Sequence, residues 1–108
     1  HAWLARARPR GSGKRYHVAI LSRRPLRDAI AHADPAVVGH CVAQAALDGP
    51  AGPLTVFGAH FDSHGEEQRL REARFVDSRI APADFASGFY LLAGDLNARV
   101  DLVGPLEK

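Results

Sequence analysis

The chain has 108 residues, of which 46% are hydrophobic, and its formal net charge is +2 at pH 7. This length and apolar content exclude a disordered chain and predict one small domain with a single core, while so small a net charge does not by itself indicate nucleic-acid binding. No apolar run is long enough to cross a membrane, and the single cysteine, Cys41, excludes an internal disulfide and a multi-cysteine metal site.

The sequence indicates a fragment or a processed product rather than a complete reading frame, because the chain begins at His1 and contains no methionine. Arg6, Arg8 and Arg10 interrupt the apolar residues there, so no signal peptide is predicted and a cytoplasmic location is favoured. We expect residues 1–15 to be a solvated leader or loop. The alternative is contact with a phosphate backbone through a basic cluster made of Arg6, Arg8, Arg10, Lys14 and Arg15.

Residues 16–22 are predicted to form a central strand, because Val18 to Leu21 is an uninterrupted apolar run. Pro25 cannot donate a ladder hydrogen bond and ends this segment. Residues 27–33 are expected to form a short edge strand or an irregular link.

Residues 34–49 are compatible with two structures. Asp34-Pro35 is typical of a helix start, and the valines and alanines that follow repeat with a helical period. The same residues also alternate, and the Gly-Pro-Ala-Gly-Pro turn at residues 49–53 separates them from a second apolar run. On that interpretation residues 37–47 and 54–61 form an antiparallel pair, and local sequence leaves both possibilities open.

A strand at residues 54–61 and a helix at residues 64–81 are predicted next. Ser63 and Glu66 match a capping box at the helix start, and Pro82 sets its end. The expected apolar face of this helix consists of Leu70, Ala73, Val76 and Ile80.

The last predicted strand ends in polar residues. Phe89 to Ala93 is continuously apolar, which is typical of a strand covered on both faces, and Gly94 then ends the run. Asp95 and Asn97 are two residues apart, so on an extended chain their side chains project to the same side. The alternative is a turn in which both side chains only bond local backbone.

A helical crossover between residues 54–61 and 89–94 would make these two strands parallel neighbours. The carboxyl ends of parallel strands meet at one edge of a sheet. We therefore expect His60, Asp95 and Asn97 to lie together at that edge.

Three segments, in order, make the chain similar to the endonuclease/exonuclease/phosphatase superfamily, the group of deoxyribonuclease I. His-Val-Ala-Ile-Leu-Ser-Arg at residues 17–23 resembles the family's G-V-A-I-L-S-R strand. Ala-His-Phe at 59–61 resembles its T-H-L segment, and Gly-Asp-Leu-Asn at 94–97 resembles its G-D-F/L-N signature. The match covers residues 16–99, the middle of a family domain, so residues 1–108 are expected to be a single partial domain whose residues 100–108 are a truncated tail.

The resemblance implies an α/β (α+β) fold that is part of a four-layer sandwich of the deoxyribonuclease I type, with a mixed sheet. It also implies that residues 37–47 form a strand. The activity implied is metal-dependent hydrolysis of a phosphoester, with Mg²⁺ or Mn²⁺ as cofactor.

By resemblance, Asp95 activates or orients water, while Asn97 and His60 contact the substrate phosphate. Asp95 is a candidate metal ligand, but the family's main metal-binding Glu precedes the matching region, and its Asp-His pair follows beyond the end of this chain. We therefore expect little turnover from these 108 residues alone.

The alternatives are a non-catalytic binding module that retains the fold and a generic α/β domain whose motif matches are coincidental. The expected partner is a phosphoester substrate, nucleic acid among the candidates. The sequence does not choose between nucleic acid, phosphoinositide, sphingolipid and small phosphoesters, nor does it predict an oligomeric state.

Overall fold

A computed structural model describes residues 1–8, 15–63, 65–80 and 88–97. In chain order its elements are β1 (Ala2–Ala5), β2 (Val18–Leu21), β3 (Arg27–His32), β4 (Val42–Gly49), β5 (Gly52–His60), α1 (Glu66–Ser78) and β6 (Phe89–Asp95). β1 and β2 form an antiparallel pair, and the larger sheet has the order β3-β4-β5-β6. Its first three strands are antiparallel, whereas β6 runs parallel to β5. The described chain is therefore an α/β fold with a mixed sheet, as predicted at that level.

The strands β4 and β5 of the larger sheet are covered on both faces, by the small sheet on one side and by α1 on the other. Alternation along β4 produces two cores where a single one was predicted, since Ala43 and Ala45 pack with Ile20 of β2 whereas Val42 packs with Val76 of α1. Gly58 allows the small sheet to lie close, because a Cβ there would be 3.0 Å from Val18 Cγ1.

Residues 42–49 are a strand, so the antiparallel interpretation is confirmed and the helical one is wrong, although residues 37–41 of the predicted strand lie before it. Asp34 does start a helical turn, in which its carbonyl accepts from the N–H groups of Val37 and Val38. The turn stops there, and β4 pairs with β5 from Val42 opposite Ala59 to Gly49 opposite Gly52. A ladder of this length buries the alternating face of β4. The stabilisation from that pairing and burial exceeds the local preference for a helix at Asp34-Pro35.

Two expectations for the first part of the chain are wrong. The solvated leader or loop is contradicted by Ala2–Ala5, which forms β1 by pairing with β2 while Trp3 and Ala5 alternate inward to the core. β2 is not a central strand of the larger sheet, and Leu21 at its end is 78% exposed. β3 is an edge strand of the larger sheet, as predicted.

The strand covered on both faces that was expected at Phe89–Ala93 is also wrong. β6 lies at one edge of the sheet, and among the described residues β5 is the strand that pairs with it. Phe89 and Leu91 are 56% and 50% exposed, while Tyr90 packs with the α1 core. A continuous apolar run shows that the side chains on both faces of a strand can be buried. The elements that pack next to the strand decide which of those side chains are buried.

The helix is shorter than predicted and begins differently. α1 starts after Gly65 rather than at residue 64, and no side chain caps it, so the Ser63–Glu66 capping box is absent. Instead, the Asp62 carboxylate accepts the N–H of Gly65 at 3.1 Å. No helix within the described ranges has the length and apolarity needed to cross a membrane.

The buried side of α1 also differs from the predicted apolar face. Val76 is buried, but Leu70 is 49% exposed and Ala73 is exposed as well. The second buried residue of the helix is Glu72, one turn before Val76. The helix ends at Ser78 with Arg79 as its cap, so the expected end at residue 81 is wrong, while the tail at 100–108 lies outside the described residues.

Candidate functional site

β5 and β6 end side by side, which places His60 and Asp95 next to each other. The parallel register pairs these two residues directly, and the N–H of Phe61 donates to the Asp95 carbonyl at 2.9 Å. His60 Nε2 lies 3.8 Å from Asp95 Oδ2, with the two side chains 27% and 64% exposed. The structure thus brings together an imidazole and a carboxylate that are 35 positions apart in sequence (95 − 60).

Gly94 makes this approach possible. Its φ is +136°, a conformation that side-chain-bearing residues rarely adopt, and a Cβ there would overlap the carbonyl group of Ala59 on β5. The Gly of the Gly-Asp-Leu-Asn segment therefore lets β6 lie against β5 immediately before Asp95.

Asn97 joins the same edge through a turn rather than through strand alternation. Its φ is +49°, so the chain is no longer extended there, and the predicted same-side projection from a strand is wrong. The Asn97 N–H donates to Asp95 Oδ1 at 3.0 Å, and Asn97 Nδ2 donates to the Phe61 carbonyl at 2.7 Å. The local backbone bonding considered as the alternative is therefore present for Asp95, whereas the Asn97 side chain bonds a carbonyl 36 positions away in sequence. A carboxamide nitrogen carries two hydrogens, so this bond still leaves one for an added acceptor.

Two residues that the sequence interpretation did not assign to the site lie against His60. The His40 ring centroid is 4.5 Å from that of His60, and the Tyr16 ring centroid is 5.3 Å from it. Tyr16 precedes β2 and His40 precedes β4, so their convergence depends on the packing of the two sheets. No local spacing in the sequence signals it.

Glu72 holds the backbone on both sides of this ring cluster. Its carboxylate is 1% exposed and accepts from the N–H groups of Gly39 and Asp62, each at 2.8 Å. Gly39 precedes His40, and Asp62 follows the end of β5. Neither the motifs nor the resemblance assigns Glu72 a role. The available signal was its position one turn before Val76, on the side of the helix that turns inward.

The described residues do not form a metal site on their own. Within the described ranges, no three His, Cys, Asp or Glu side chains are arranged to hold an ion. Asp95 presents one carboxylate at the edge, whereas Mg²⁺ needs several oxygen ligands in near-octahedral geometry. Asp95 can therefore supply one ligand but cannot define the site.

Arg15 is committed to backbone rather than directed at the edge as a phosphate contact. Its Nη2 donates to the carbonyls of Val38 and His40 at 2.9 and 3.2 Å. Arg6 and Arg8 are at the exposed end of the small sheet, while residues 9–14 lie outside the described chain.

An apolar groove of about 760 Å³ runs between α1 and the end of β6, next to Phe61. Leu70, Leu92 and Leu96 line it, and Arg69 and Glu67 belong to its polar boundary.

Comparison with known proteins finds no match. No family model matches the chain, and neither the curated proteins nor the solved structures contain a match. The function therefore rests on the residues and geometry of the site itself.

Proposed function

We propose that this chain supplies the central part of a metal-dependent phosphodiester hydrolase of the endonuclease/exonuclease/phosphatase type. The observation that carries the proposal is the parallel register of β5 and β6, which sets His60 opposite Asp95. Asn97 is bonded to both strand ends through Asp95 Oδ1 and the Phe61 carbonyl. These three residue types are the ones that phosphoester hydrolysis uses.

Each side chain has a role that its chemistry allows. Asp95, with a 64% exposed side chain, is placed to accept a proton from water or to orient it. The remaining N–H of the Asn97 carboxamide can donate to a phosphoryl oxygen whatever the pH, because a carboxamide does not titrate. His60, when protonated, donates to a phosphoryl oxygen and contributes positive charge.

The fold proposed for the whole domain is the four-layer α/β sandwich. In support, α1, the larger sheet and the smaller sheet already lie in the order helix, sheet, sheet, with separate cores between them. A second helical layer on the outer face of β1 and β2 would complete such a sandwich.

The proposed cofactor is Mg²⁺ or Mn²⁺, and Asp95 would be one of its oxygen ligands. When bound, the ion would offset charge on the phosphoryl oxygens. The remaining ligands must come from outside the described residues, so the roles above are assigned only to the protein's own side chains.

A non-catalytic module that binds phosphoesters is the second candidate. It is favoured by the hydrogen bonds that already occupy Asp95 Oδ1 and one amide hydrogen of Asn97. A nucleic acid is one phosphoester partner that either candidate could take.

The test is hydrolysis of bis(p-nitrophenyl) phosphate and of plasmid DNA by the longer protein expected to contain these residues, with and without Mg²⁺. Asp95→Asn should lower the rate at least about 100-fold. The variant keeps an oxygen to accept the Asn97 N–H, so the turn should persist. Asp77→Asn, an exposed carboxamide substitution on α1, is the matched control and should leave the rate unchanged.

Equal rates for wild type and Asp95→Asn would contradict the role of Asp95. Phosphoester binding without Mg²⁺-dependent turnover would favour the binding module instead. Strong Mg²⁺-dependent turnover by the 108-residue chain alone would contradict the expectation that further ligands are needed.

A further inference from the structure

We propose that His40 is a positioning residue that orients the His60 imidazole toward the phosphate through ring stacking. This inference rests on the proposed role of His60 and adds a residue to which neither the motifs nor the resemblance gives a role.

The two imidazoles are packed against each other at the edge of the sheet. Their centroids are 4.5 Å apart, and their planes are inclined by 33°, which is within the range of offset stacking. On another side, His60 Nε2 lies 3.8 Å from Asp95 Oδ2. His60 is thus held between a ring and a carboxylate.

The His40 ring is itself fixed by Tyr16. Nδ1 of His40 accepts the backbone N–H of Tyr16 at 3.2 Å, which places any proton of a neutral His40 on Nε2. The Tyr16 ring also meets the His40 ring edge-on, with centroids 5.2 Å apart and planes inclined by 66°. Both the position and the rotation of the ring are therefore determined.

The backbone that carries His40 is held from two further directions. Arg15 donates to the carbonyls of Val38 and His40, and the buried Glu72 accepts from the N–H of Gly39. These residues belong to a turn and not to a helix or strand, so without such bonds the turn would be free to shift. Three consecutive residues of this turn have backbone atoms tied to side chains of other segments.

A fixed His40 ring is useful only if His60 must keep one orientation. The His60 side chain is 27% exposed, so the backbone of β5 leaves it rotational freedom that stacking can restrict. Phosphate contacts are sensitive to displacements of well under 1 Å. Ring stacking on His40 would hold the imidazole in the orientation that faces a bound phosphate.

Three variants at His40 and one control in the 108-residue chain distinguish the effect of ring stacking on His60 from the effect of the hydrogen bond to the Tyr16 N–H. His40→Ala removes both, His40→Phe keeps a ring, and His40→Asn keeps an acceptor for the Tyr16 N–H. His17→Ala is the matched control, because His17 Nδ1 likewise accepts a backbone N–H, that of Ala7, at 2.9 Å.

The experiment follows the His60 imidazole by NMR, first for its orientation and then during titration with inorganic phosphate. Amide spectra establish that each variant remains folded. We expect His40→Ala and His40→Asn to lose the nuclear Overhauser contacts that define the His60 orientation and to weaken its phosphate response roughly tenfold. His40→Phe and His17→Ala should behave like wild type.

An unchanged His60 orientation in folded His40→Ala would overturn the proposal, and so would rescue by His40→Asn but not by His40→Phe. The orientation measurement needs no phosphate. If wild-type His60 does not respond to phosphate while its orientation still depends on His40, the phosphate role of His60 is wrong and its positioning by His40 is upheld.

Discussion

Gly94 and Gly52 both have positive φ, at +136° and +121°, but their surroundings differ. A Cβ on Gly52 would meet nothing within 4 Å, whereas one on Gly94 would overlap the Ala59 carbonyl. Substitutions at these two glycines therefore distinguish the cost of backbone strain alone from the cost of strain combined with a steric clash between strands.

Gly94→Ala should lower the free energy of unfolding by about 2–4 kcal/mol, because strain and overlap add. Gly52→Ala should cost about 1 kcal/mol or slightly more, from strain alone. Urea unfolding of both variants measures the difference. Equal losses would show that β6 does not approach β5 as closely as described.

Cys41 is a buried thiol whose sulfur lies 3.5 Å from the Ala5 carbonyl oxygen. Burial, which disfavours the thiolate, raises the pKa of Cys41 above the ordinary value of 9.0. A backbone hydrogen bond at Val18 and, to a smaller extent, the positive charge of Arg15 partly offset this rise in the pKa. The folded state therefore keeps its proton at a pH where the unfolded chain loses it.

It follows that the free energy of unfolding should be insensitive to Cys41 below about pH 9 and should fall as the pH rises above it. The slope from this group is at most about 1.4 kcal/mol per pH unit. Unfolding curves between pH 7 and 10.5 measure it, with Cys41→Ala as the comparison. The same alkaline slope in both proteins would mean that other groups cause it.

The helix α1 is held to the rest of the molecule by hydrogen bonds to a buried carboxylate as well as by apolar packing. Glu72 accepts one N–H from the segment before His40 and one from the segment after β5, while Val76 packs in the core one turn later. Arg69 adds a bond from its Nη1 to the Asp62 carbonyl at 3.2 Å. One helix thus fixes two loops that border the site.

Glu72→Ala should cost about 3 kcal/mol, because it leaves two N–H groups without their acceptor. Glu67→Ala, on the exposed first turn of the same helix, should change stability by no more than about 0.5 kcal/mol. Chemical denaturation gives both values, and hydrogen exchange at Gly39 and Asp62 should accelerate in Glu72→Ala alone. Unaltered exchange at those two amides would contradict the bridging role.

Among the relations between elements, the parallel pairing of β5 with β6 is the one that the sequence predicted best. An apolar segment, an amphipathic helix and a second apolar segment in that order favour a parallel crossover, and the pairing is parallel. The same reasoning placed His60 beside Asp95. It failed for the side of α1 that is buried, because Glu72 is held inside by two N–H groups from segments more than nine residues away.

On the scale of the whole molecule, β6 leaves an apolar face uncovered. Phe89 and Leu91 lie two residues apart on the same face of β6 and are 56% and 50% exposed, and among the described residues β6 pairs on one edge with β5. An exposed apolar face on an edge strand is prone to associate with other chains.

We expect the 108-residue chain to self-associate, so that its mass by analytical ultracentrifugation rises above 11.6 kDa with concentration. Leu91→Lys should reduce this association, because a charge on the face of an edge strand opposes docking. Leu21→Lys, at a leucine that is 78% exposed on β2, is the control and should have little effect. A chain that stays monomeric at all concentrations would contradict the prediction.

The amino-acid sequence alone determined the α/β class, the parallel crossover through α1 and the meeting of His60 with Asp95. These features follow from local apolar patterns and from a general rule of chain connection. Where local signals competed, as at residues 34–49, the residues left the choice open, and the ladder between β4 and β5 decided it.

Tertiary structure alone decided the surroundings of His60 and Asp95. The stacking of His40 on His60, the two bonds to Glu72 and the exposure of β6 depend on which faces of separate elements meet. Such contacts join residues far apart in the chain, and a periodic pattern specifies only that a face is buried. It does not specify the partner, because the hydrophobic effect that drives burial has no direction.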